Sequence, residues 1–588
     1  MLLLLADSLL LLFITMNLGI FTRTLLEKLF RSPVSTGILG IFLLGLLFSS
    51  IYFNILSFWL PVNYLSLIPL ALLSGLLFFT NRLQVLAIRR SALRHLQYFF
   101  ARPRLLVSLT VLLTLFCFWI MPPNNFDSRE YHFQSILWYE KYKVVPGLAN
   151  IHGRFAFNPV SFIIEAAYSF TDPAGQSLYP LNGVIMCLFS AWLLARLFKA
   201  GATLSGLLWT LLLILLFRTL LINIPAPSSD TLVAACICYS LVSLFDSLLS
   251  RDIRLSQVLV PCLLILYSLI AKLSSFPVLL ILPFIFYWLP KKERSIVLLL
   301  KTALIALLLF IPWLGRNYIL SGYLVYPILS LGWGHPDWQA PAGVLKIDLF
   351  YIRTAAKTNS YQIPLSAPLP LYKWFMGWLN HFFSIHSLGD PFNFAIAILS
   401  PAYWLLLYKK IRNIEIRPFM LWLVIYTGVW IWLLTSPVIR FAAVILTLST
   451  ILPLLTFLYR QQQRSRTGYK FLIGALLAGS SFFFIIKYYP RQASGKIVLK
   501  NCWIYPLRDS AYNAHELSDF LFRPLPHGVK LYVADADHEC INACLPCMVS
   551  WPGKKLGYYN DIEMRGSRID EGFRMIGDKV EDTYPFIK

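Results

Sequence analysis

The most informative stretch of this sequence is NNFDSREYHFQSILWYEKYKVVPGLANIHGRFAFNPV, residues 124–160. It follows a long apolar run that ends at Met121. Within it, Asp127, Arg129, Glu130 and His132 fall inside six consecutive positions. A carboxylate beside a basic residue and an imidazole at a predicted membrane surface indicates proton chemistry or ion binding, and not lipid contact.

Composition places most of the chain in a membrane. Of its 588 residues, 58% are hydrophobic and 13% charged, and the mean hydropathy is +0.66, whereas soluble proteins carry about 25% charged residues. We predict an all-α polytopic membrane protein with fourteen helices. A bilayer needs about 20 apolar residues, and the predicted segments are 2–21, 36–60, 62–80, 104–121, 178–198, 203–222, 230–249, 256–271, 275–290, 295–314, 393–409, 418–435, 438–459 and 470–488. A shorter run, Phe162–Phe170, predicts a surface or re-entrant helix.

Basic residues predict the orientation. Clusters such as Arg89–Arg94 and Lys291–Arg294 fall on one side if the segments alternate, and the positive-inside rule makes that side cytoplasmic. The loops 122–177 and 315–392 and the tail 490–588 then lie outside, the tail as a small extracytoplasmic domain. The net charge of +23 comes from the membrane part, because the tail holds 13 basic and 13 acidic residues. Anionic lipid accounts for this charge without a nucleic-acid partner.

The tail holds four of the nine cysteines: Cys502, Cys540, Cys544 and Cys547. In an oxidising compartment they predict two disulfides, with three possible pairings. A zinc site that includes His538 is the weaker alternative, because the spacing is irregular. The other five cysteines lie in or beside apolar segments and are predicted to be packing residues.

The topology resembles that of the GT-C glycosyltransferases, membrane enzymes that take sugars from polyprenyl-phosphate donors. The resemblance covers residues 104–392: a span, a long outer loop with an acidic residue near its start, six more spans and a second long outer loop. Residues 1–103 add three N-terminal helices, and 393–489 add C-terminal ones. More narrowly, FDSREYHFQSILWYEKYKVVPGLANIHGRFAFN, PWLGRNYILSGYLVYP and CLPC are similar to a family of bacterial polytopic membrane proteins placed near GT-C.

The resemblance implies catalytic roles. Asp127 matches the first-loop acidic residue, which acts as the general base or holds the acceptor or a metal, and Glu130 shares its helix face at i+3. The alternative for Asp127 is the N-cap of a helix that begins near Ser128. For His132, a supporting hydrogen bond or an interfacial position is equally open.

Basic residues at predicted outer helix ends run against the positive-inside rule, so they indicate an anionic ligand such as a polyprenyl phosphate. Those residues are Lys272, Arg316 and Arg440, and the alternative is snorkelling to lipid headgroups. Asp230 is a second candidate acid for phosphate or a divalent metal, or a plain helix start.

His152 and Arg154 follow the Pro-Gly turn of the first outer loop and are further substrate-binding candidates, in a loop rich in aromatic residues.

The preferred function is transfer of a sugar from a polyprenyl-phosphate-linked donor to a cell-envelope glycan, lipid or protein on the outer face of the bacterial inner membrane. A transporter or flippase of a lipid-linked saccharide is the main alternative, and a glycan polymerase or ligase is the third. The sequence has no P-loop or Rossmann fingerprint, which argues against nucleotide-driven transport.

Overall fold

The computed structural model describes residues 1–123, 125–250, 253–358, 370–385, 389–410, 416–459 and 465–492. Within the tail it describes 497–498, 504, 508–509, 521–534, 540, 545–549 and 561–576. The described chain is mostly helical, because long apolar runs satisfy their backbone groups internally as helices.

Five helices precede the loop 122–177, which is predicted to lie outside: α1 (Leu2–Phe30), α2 (Ile38–Leu56), α3 (Leu67–Thr80), α4 (Arg82–Phe99) and α5 (Arg102–Trp119). The loop itself holds α6 (Phe133–Lys141), α7 (Val160–Tyr168) and α8 (Thr171–Ala174). A π-helical turn, Ser128–His132, leads into α6, and a 3₁₀ turn, Gly153–Ala156, precedes α7.

The central helices are α9 (Leu181–Ala200), α10 (Leu204–Leu220), α11 (Asp230–Leu249), α12 (Leu255–Ala271), α13 (Leu282–Trp288) and α14 (Ile296–Ser321). A 3₁₀ helix, Leu273–Ile281, joins α12 to α13. The remaining helices are α15 (Ala342–Phe350), α16 (Ala356–Thr358), α17 (Leu371–Ile385), α18 (Gly389–Lys410), α19 (Ile416–Thr435), α20 (Ile439–Tyr459) and α21 (Thr467–Gln492).

Within the described residues, nine helices are long and apolar enough to cross a membrane: α1, α2, α9, α10, α11, α14, α19, α20 and α21. A tenth results if the helices at 64–80 and 82–99, bent by 89°, form one span. The other predicted segments overlap helices as well, but α5, α12 and the run 273–288 are shorter, so fourteen crossings stay a prediction.

The helix predicted at Phe162–Phe170 is not at the surface. Its counterpart α7 is buried at every position and packs against α2 and α6. The surface alternative was wrong, because a nine-residue apolar run has the same hydropathy whether lipid or protein surrounds it. The re-entrant alternative stays a prediction.

The tail contributes short strands: β1 (Ile497–Val498), β2 (Arg508–Asp509), β3 (Leu521–Pro524), β4 (Lys530–Ala534), β5 (Cys547–Val549), β6 (Ile562–Met564) and β7 (Phe573–Met575). β1 pairs with β2, β3 with β4, and β6 with β7, all antiparallel. β5 lies parallel to β4, with Tyr532 opposite Cys547.

One disulfide joins Cys540 to Cys547. Cys502, Cys544 and His538 lie outside the described residues, so the second bridge and the zinc alternative stay predictions. The five cysteines outside the tail have free thiols and are buried or half-buried, as expected of packing residues.

Two apolar cores organise the described chain. The larger one runs through the helical bundle. The smaller one joins Trp138 and Phe155 of the loop 122–177 to Leu345 of α15 and to Leu531 and Phe573 of the tail. The loops 122–177 and 315–392 and the tail therefore share a core at one end of the bundle.

Candidate active site

A cavity of about 280 Å³ lies at the end of the bundle where α11 and α20 begin and α12 ends. Six of the nine predicted site residues line it: Asp127, His132, Arg154, Asp230, Lys272 and Arg440. These residues belong to five separate elements of the chain. The structure brings them to one place.

Asp127 faces two arginines. Its Oδ2 lies 2.5 Å from Nη2 of Arg440, and its Oδ1 lies 3.6 Å from Nη1 of Arg154. The helix-start role falls to Asn125, whose Oδ1 accepts the backbone N–H of Asp127 at 3.1 Å. The Asp127 side chain makes no capping hydrogen bond, so its carboxylate is directed to the cations of the cavity.

The charge states of the first-loop residues follow from these contacts. Burial acts to raise the pKa of Asp127, but the guanidinium groups of Arg440 and Arg154 outweigh it and hold that pKa well below its usual value. Burial lowers the pKa of His132 to about 3. At neutral pH Asp127 is therefore a carboxylate and His132 a neutral imidazole.

His132 is held in place by neighbours of its own loop. Its Nδ1 is hydrogen-bonded to Oγ of Ser128 at 2.9 Å, and its ring centroid lies 4.7 Å from that of Phe162. With Nδ1 engaged, Nε2 is the ring nitrogen left for a ligand in the cavity.

Asp230 is the second acid of the cavity. It opens α11 and is 5% exposed, and its Oδ1 forms an ion pair with Nζ of Lys272. Its Oδ2 lies 3.9 Å from Nε of Arg440, so Arg440 stands between the two acids. Lys272 reaches Asp230 from the extended residue between α12 and the following 3₁₀ helix, and its ammonium lies 4.1 Å from the Phe441 ring centroid.

Glu130 and His152 lie behind Arg154 and do not line the cavity. Glu130 is ion-paired with Arg154, and Nε2 of His152 lies 3.9 Å from Glu130 Oε1. Nδ1 of His152 accepts the backbone N–H of Arg154 at 3.2 Å, which starts the 3₁₀ turn. Both residues therefore fix the position of Arg154.

A family model described as a domain of unknown function, DUF8201, matches residues 1–447. The chain belongs to this family. The match includes every cavity residue and ends before the tail with its disulfide. No curated protein and no solved structure matches the chain.

Arg316 is the predicted phosphate ligand that the structure does not bring to the cavity. It is fully buried in α14, where Nε donates to Oδ1 of Asn158 at 3.1 Å and Nη1 donates to Oγ of Ser57. Its guanidinium lies 4.5 Å from the Tyr139 ring centroid. Its full burial among protein groups excludes snorkelling to lipid headgroups, and its role as a phosphate ligand stays a prediction.

The two acids do not fit a resident divalent metal. Among the described residues no three His, Cys, Asp or Glu side chains are grouped as metal ligands. Arg440 and Arg154 neutralise Asp127, and Lys272 neutralises Asp230, so a cation of the protein already stands where the metal would have to bind.

Three cavity residues carried no distinctive signal in the sequence: Tyr131, Asn158 and Tyr326. The Arg154 guanidinium lies 5.5 Å from the Tyr131 ring centroid, and the hydroxyl of Tyr326 donates to Asp348 Oδ2 at 2.5 Å. Aromatic residues are common in membrane-interface belts. Only the contact between the loops 122–177 and 315–392 distinguishes these three residues from the other polar and aromatic residues of the loops.

Proposed function

We propose that this protein transfers a sugar from a polyprenyl-phosphate-linked donor to a cell-envelope acceptor on the outer face of a bacterial inner membrane. One observation carries the proposal: the ionised carboxylate of Asp127 shares a cavity with Arg154, Lys272 and Arg440 at one end of the membrane-spanning helices. A base and several cations beside lipid are what transfer from an anionic lipid donor requires.

The cavity has surfaces for both parts of such a donor. Lys272 and Arg440 offer charge to the phosphate, and the wall beside them is apolar, with Leu269, Ile270 and Trp313 among its residues. Charge-assisted hydrogen bonds to a phosphate are about twice as strong as neutral ones, so this end of the donor would set its position.

In the proposed step, the acceptor hydroxyl oxygen attacks the anomeric carbon while Asp127 takes its proton. The bond between the anomeric carbon and the phosphate oxygen breaks, and its electron pair leaves with the polyprenyl phosphate. Lys272 and Arg440 stabilise the negative charge that develops there.

Donor binding and base strength are linked in this arrangement. Arg440 is 2.5 Å from Asp127 in the structure, and an ion-paired carboxylate is a weak base. A donor phosphate that draws Arg440 toward itself releases Asp127 from that pair and raises its basicity, so the base becomes effective only when the donor is present.

The test is transfer by purified Asp127→Asn protein in nanodiscs with a panel of lipid-linked sugars. The amide keeps the shape but cannot take the proton, so transfer should fall roughly 10²–10⁴-fold while donor binding persists. Asp246→Asn is the matched control, because Asp246 pairs with Arg196 at 2.7 Å at the opposite end of α11. Full transfer by Asp127→Asn would contradict the proposal.

A carrier of lipid-linked saccharides is the second candidate, and one observation favours it. A second pocket lies where α11 and α20 end, lined by Arg196, Asp246 and Tyr459. It is roughly 24 Å from the cavity along α11, at 1.5 Å per residue. The carrier function would be favoured if the wild-type protein moves a lipid-linked saccharide across vesicle membranes but transfers it to no acceptor, and if Asp127→Asn abolishes that movement.

A further inference from the structure

We propose that the disulfide-bonded residues Cys540 and Cys547, together with β5, position the π-helical turn Ser128–His132, so that the candidate site is complete only when this part of the tail is docked. The proposal rests on the proposed function for its kinetic consequences, and on the structure alone for the docking. Gln134 and the two cysteines become positioning residues that touch no reacting atom.

The π-helical turn is a segment that needs outside support. Its i→i+5 hydrogen bonds are rarer and less favourable than those of an α-helix, and such turns are frequent at functional sites. This one carries Glu130 and His132 and directly follows Asp127. A small change in its geometry would move all three side chains relative to Arg440 and Lys272, which belong to other elements.

The support from the tail is direct. β5 lies against the turn, and the side-chain amide of Gln134, two residues beyond it, donates to the backbone carbonyl of Cys540. Gln134, Cys540 and Cys547 are each fully buried. This buried polar contact links α6 to the tail, and a buried amide is costly to leave without its partner.

The bridge explains why Cys540 stays beside β5. It joins two residues seven positions apart and so ties the acceptor of the Gln134 amide to the strand that packs on the turn. A disulfide persists in an oxidising compartment, which agrees with the proposed outer location of the cavity.

A second contact docks the tail independently of the bridge. The backbone N–H of Phe573 donates to Pro146 O at 2.9 Å, and the Asn150 side chain donates to Phe573 O at 3.2 Å. Gly147 adopts φ 70 at this turn, and a Cβ there would meet the Phe573 carbonyl. Loss of the bridge should therefore loosen the π-helical turn while β7 stays docked.

The test compares the Cys540→Ser, Cys547→Ser double variant with Gln134→Leu, which keeps the bridge, and with Cys117→Ser as control. Deuterium uptake in nanodiscs should rise about tenfold in rate across residues 126–136 in the first two proteins, and stay unchanged across β7. Unchanged uptake at 126–136 in both variants would overturn the proposal, whether or not transfer has been found.

Kinetics supply the second readout. Both variants should keep the donor KM, because Lys272 and Arg440 lie on other elements, and lose about 10–100-fold in kcat through the misplaced base. Re-forming the bridge in reduced wild-type protein should restore kcat. A loss of donor binding without a change in kcat would instead show a general structural role and contradict the positioning role.

Discussion

At the scale of single residues, the pair of Asp127 with Arg440 controls the proposed chemistry. Burial alone would raise the pKa of Asp127, and Arg440 is the largest influence that lowers it. Arg440→Gln should therefore raise that pKa and move the acidic limb of the pH profile of kcat/KM, which reports the free enzyme, to higher pH, because the base stays protonated over a wider range. An acidic limb that stays in place would show that Arg440 does not set the charge of Asp127.

Glu140 gives a pH prediction that needs no activity. It is 5% exposed, and burial raises its pKa to about 7, with Thr171 Oγ1 donating to it at 3.0 Å. The folded protein holds this proton more tightly than the unfolded chain, so stability should fall as pH rises from about 5 to 8, by on the order of 3 kcal/mol.

Glu140→Gln should flatten this fall, as measured by melting temperature at each pH. Asp246→Asn, at a half-exposed ion pair with Arg196, should leave it unchanged. A Glu140→Gln protein with the same pH dependence as the wild type would disprove the assignment.

At the scale of elements, the 3₁₀ turn that carries Arg154 is packed without spare room. A Cβ on Gly153 would lie 2.6 Å from the Tyr326 hydroxyl oxygen and closer still to Asp348. Gly153→Ala should cost about 1–3 kcal/mol through this overpacking, measured by thermal unfolding. Gly474→Ala in α21 is the control, because nothing lies within 4 Å of its Cβ, and it should be neutral or slightly stabilising. An equal change in thermal stability in the two variants would show that the loop 315–392 is not packed tightly against this turn.

The helices and turns also show which features of the structure can be predicted from the sequence. Apolar runs predicted where helices form, because length and hydropathy are properties of the run itself. They did not predict that α7 is buried or that a π-helical turn follows Asp127, since both depend on what packs around them. Arg316 and Arg440 gave the same signal of a basic residue at a helix end. In the structure Arg316 contacts Asn158 and Arg440 contacts Asp127. Only these tertiary contacts distinguish the two arginines.

At the scale of the whole molecule, the proposed orientation places the cavity, the outer loops and the tail on one side of the membrane and the exposed basic residue Arg90 on the other. Asp172→Cys should react with a membrane-impermeant maleimide in intact cells, and Arg90→Cys should react only after permeabilisation. Both side chains are exposed to solvent, so access alone decides the result. The reverse pattern would invert the topology and with it the proposed location.

The central claim is that this cavity binds the phosphate of a lipid-linked donor, and competitive binding measures it most directly. Native mass spectrometry should compare polyprenyl phosphate with the uncharged polyprenol of equal length on wild type, Lys272→Gln and a control, Arg568→Gln, at an exposed arginine of the tail. A lost charge-assisted contact should cost about 1.5–3 kcal/mol, roughly 10- to 150-fold in affinity for the phosphate, with polyprenol binding and the control unchanged. Equal weakening for both lipids, or none for either, would contradict the account.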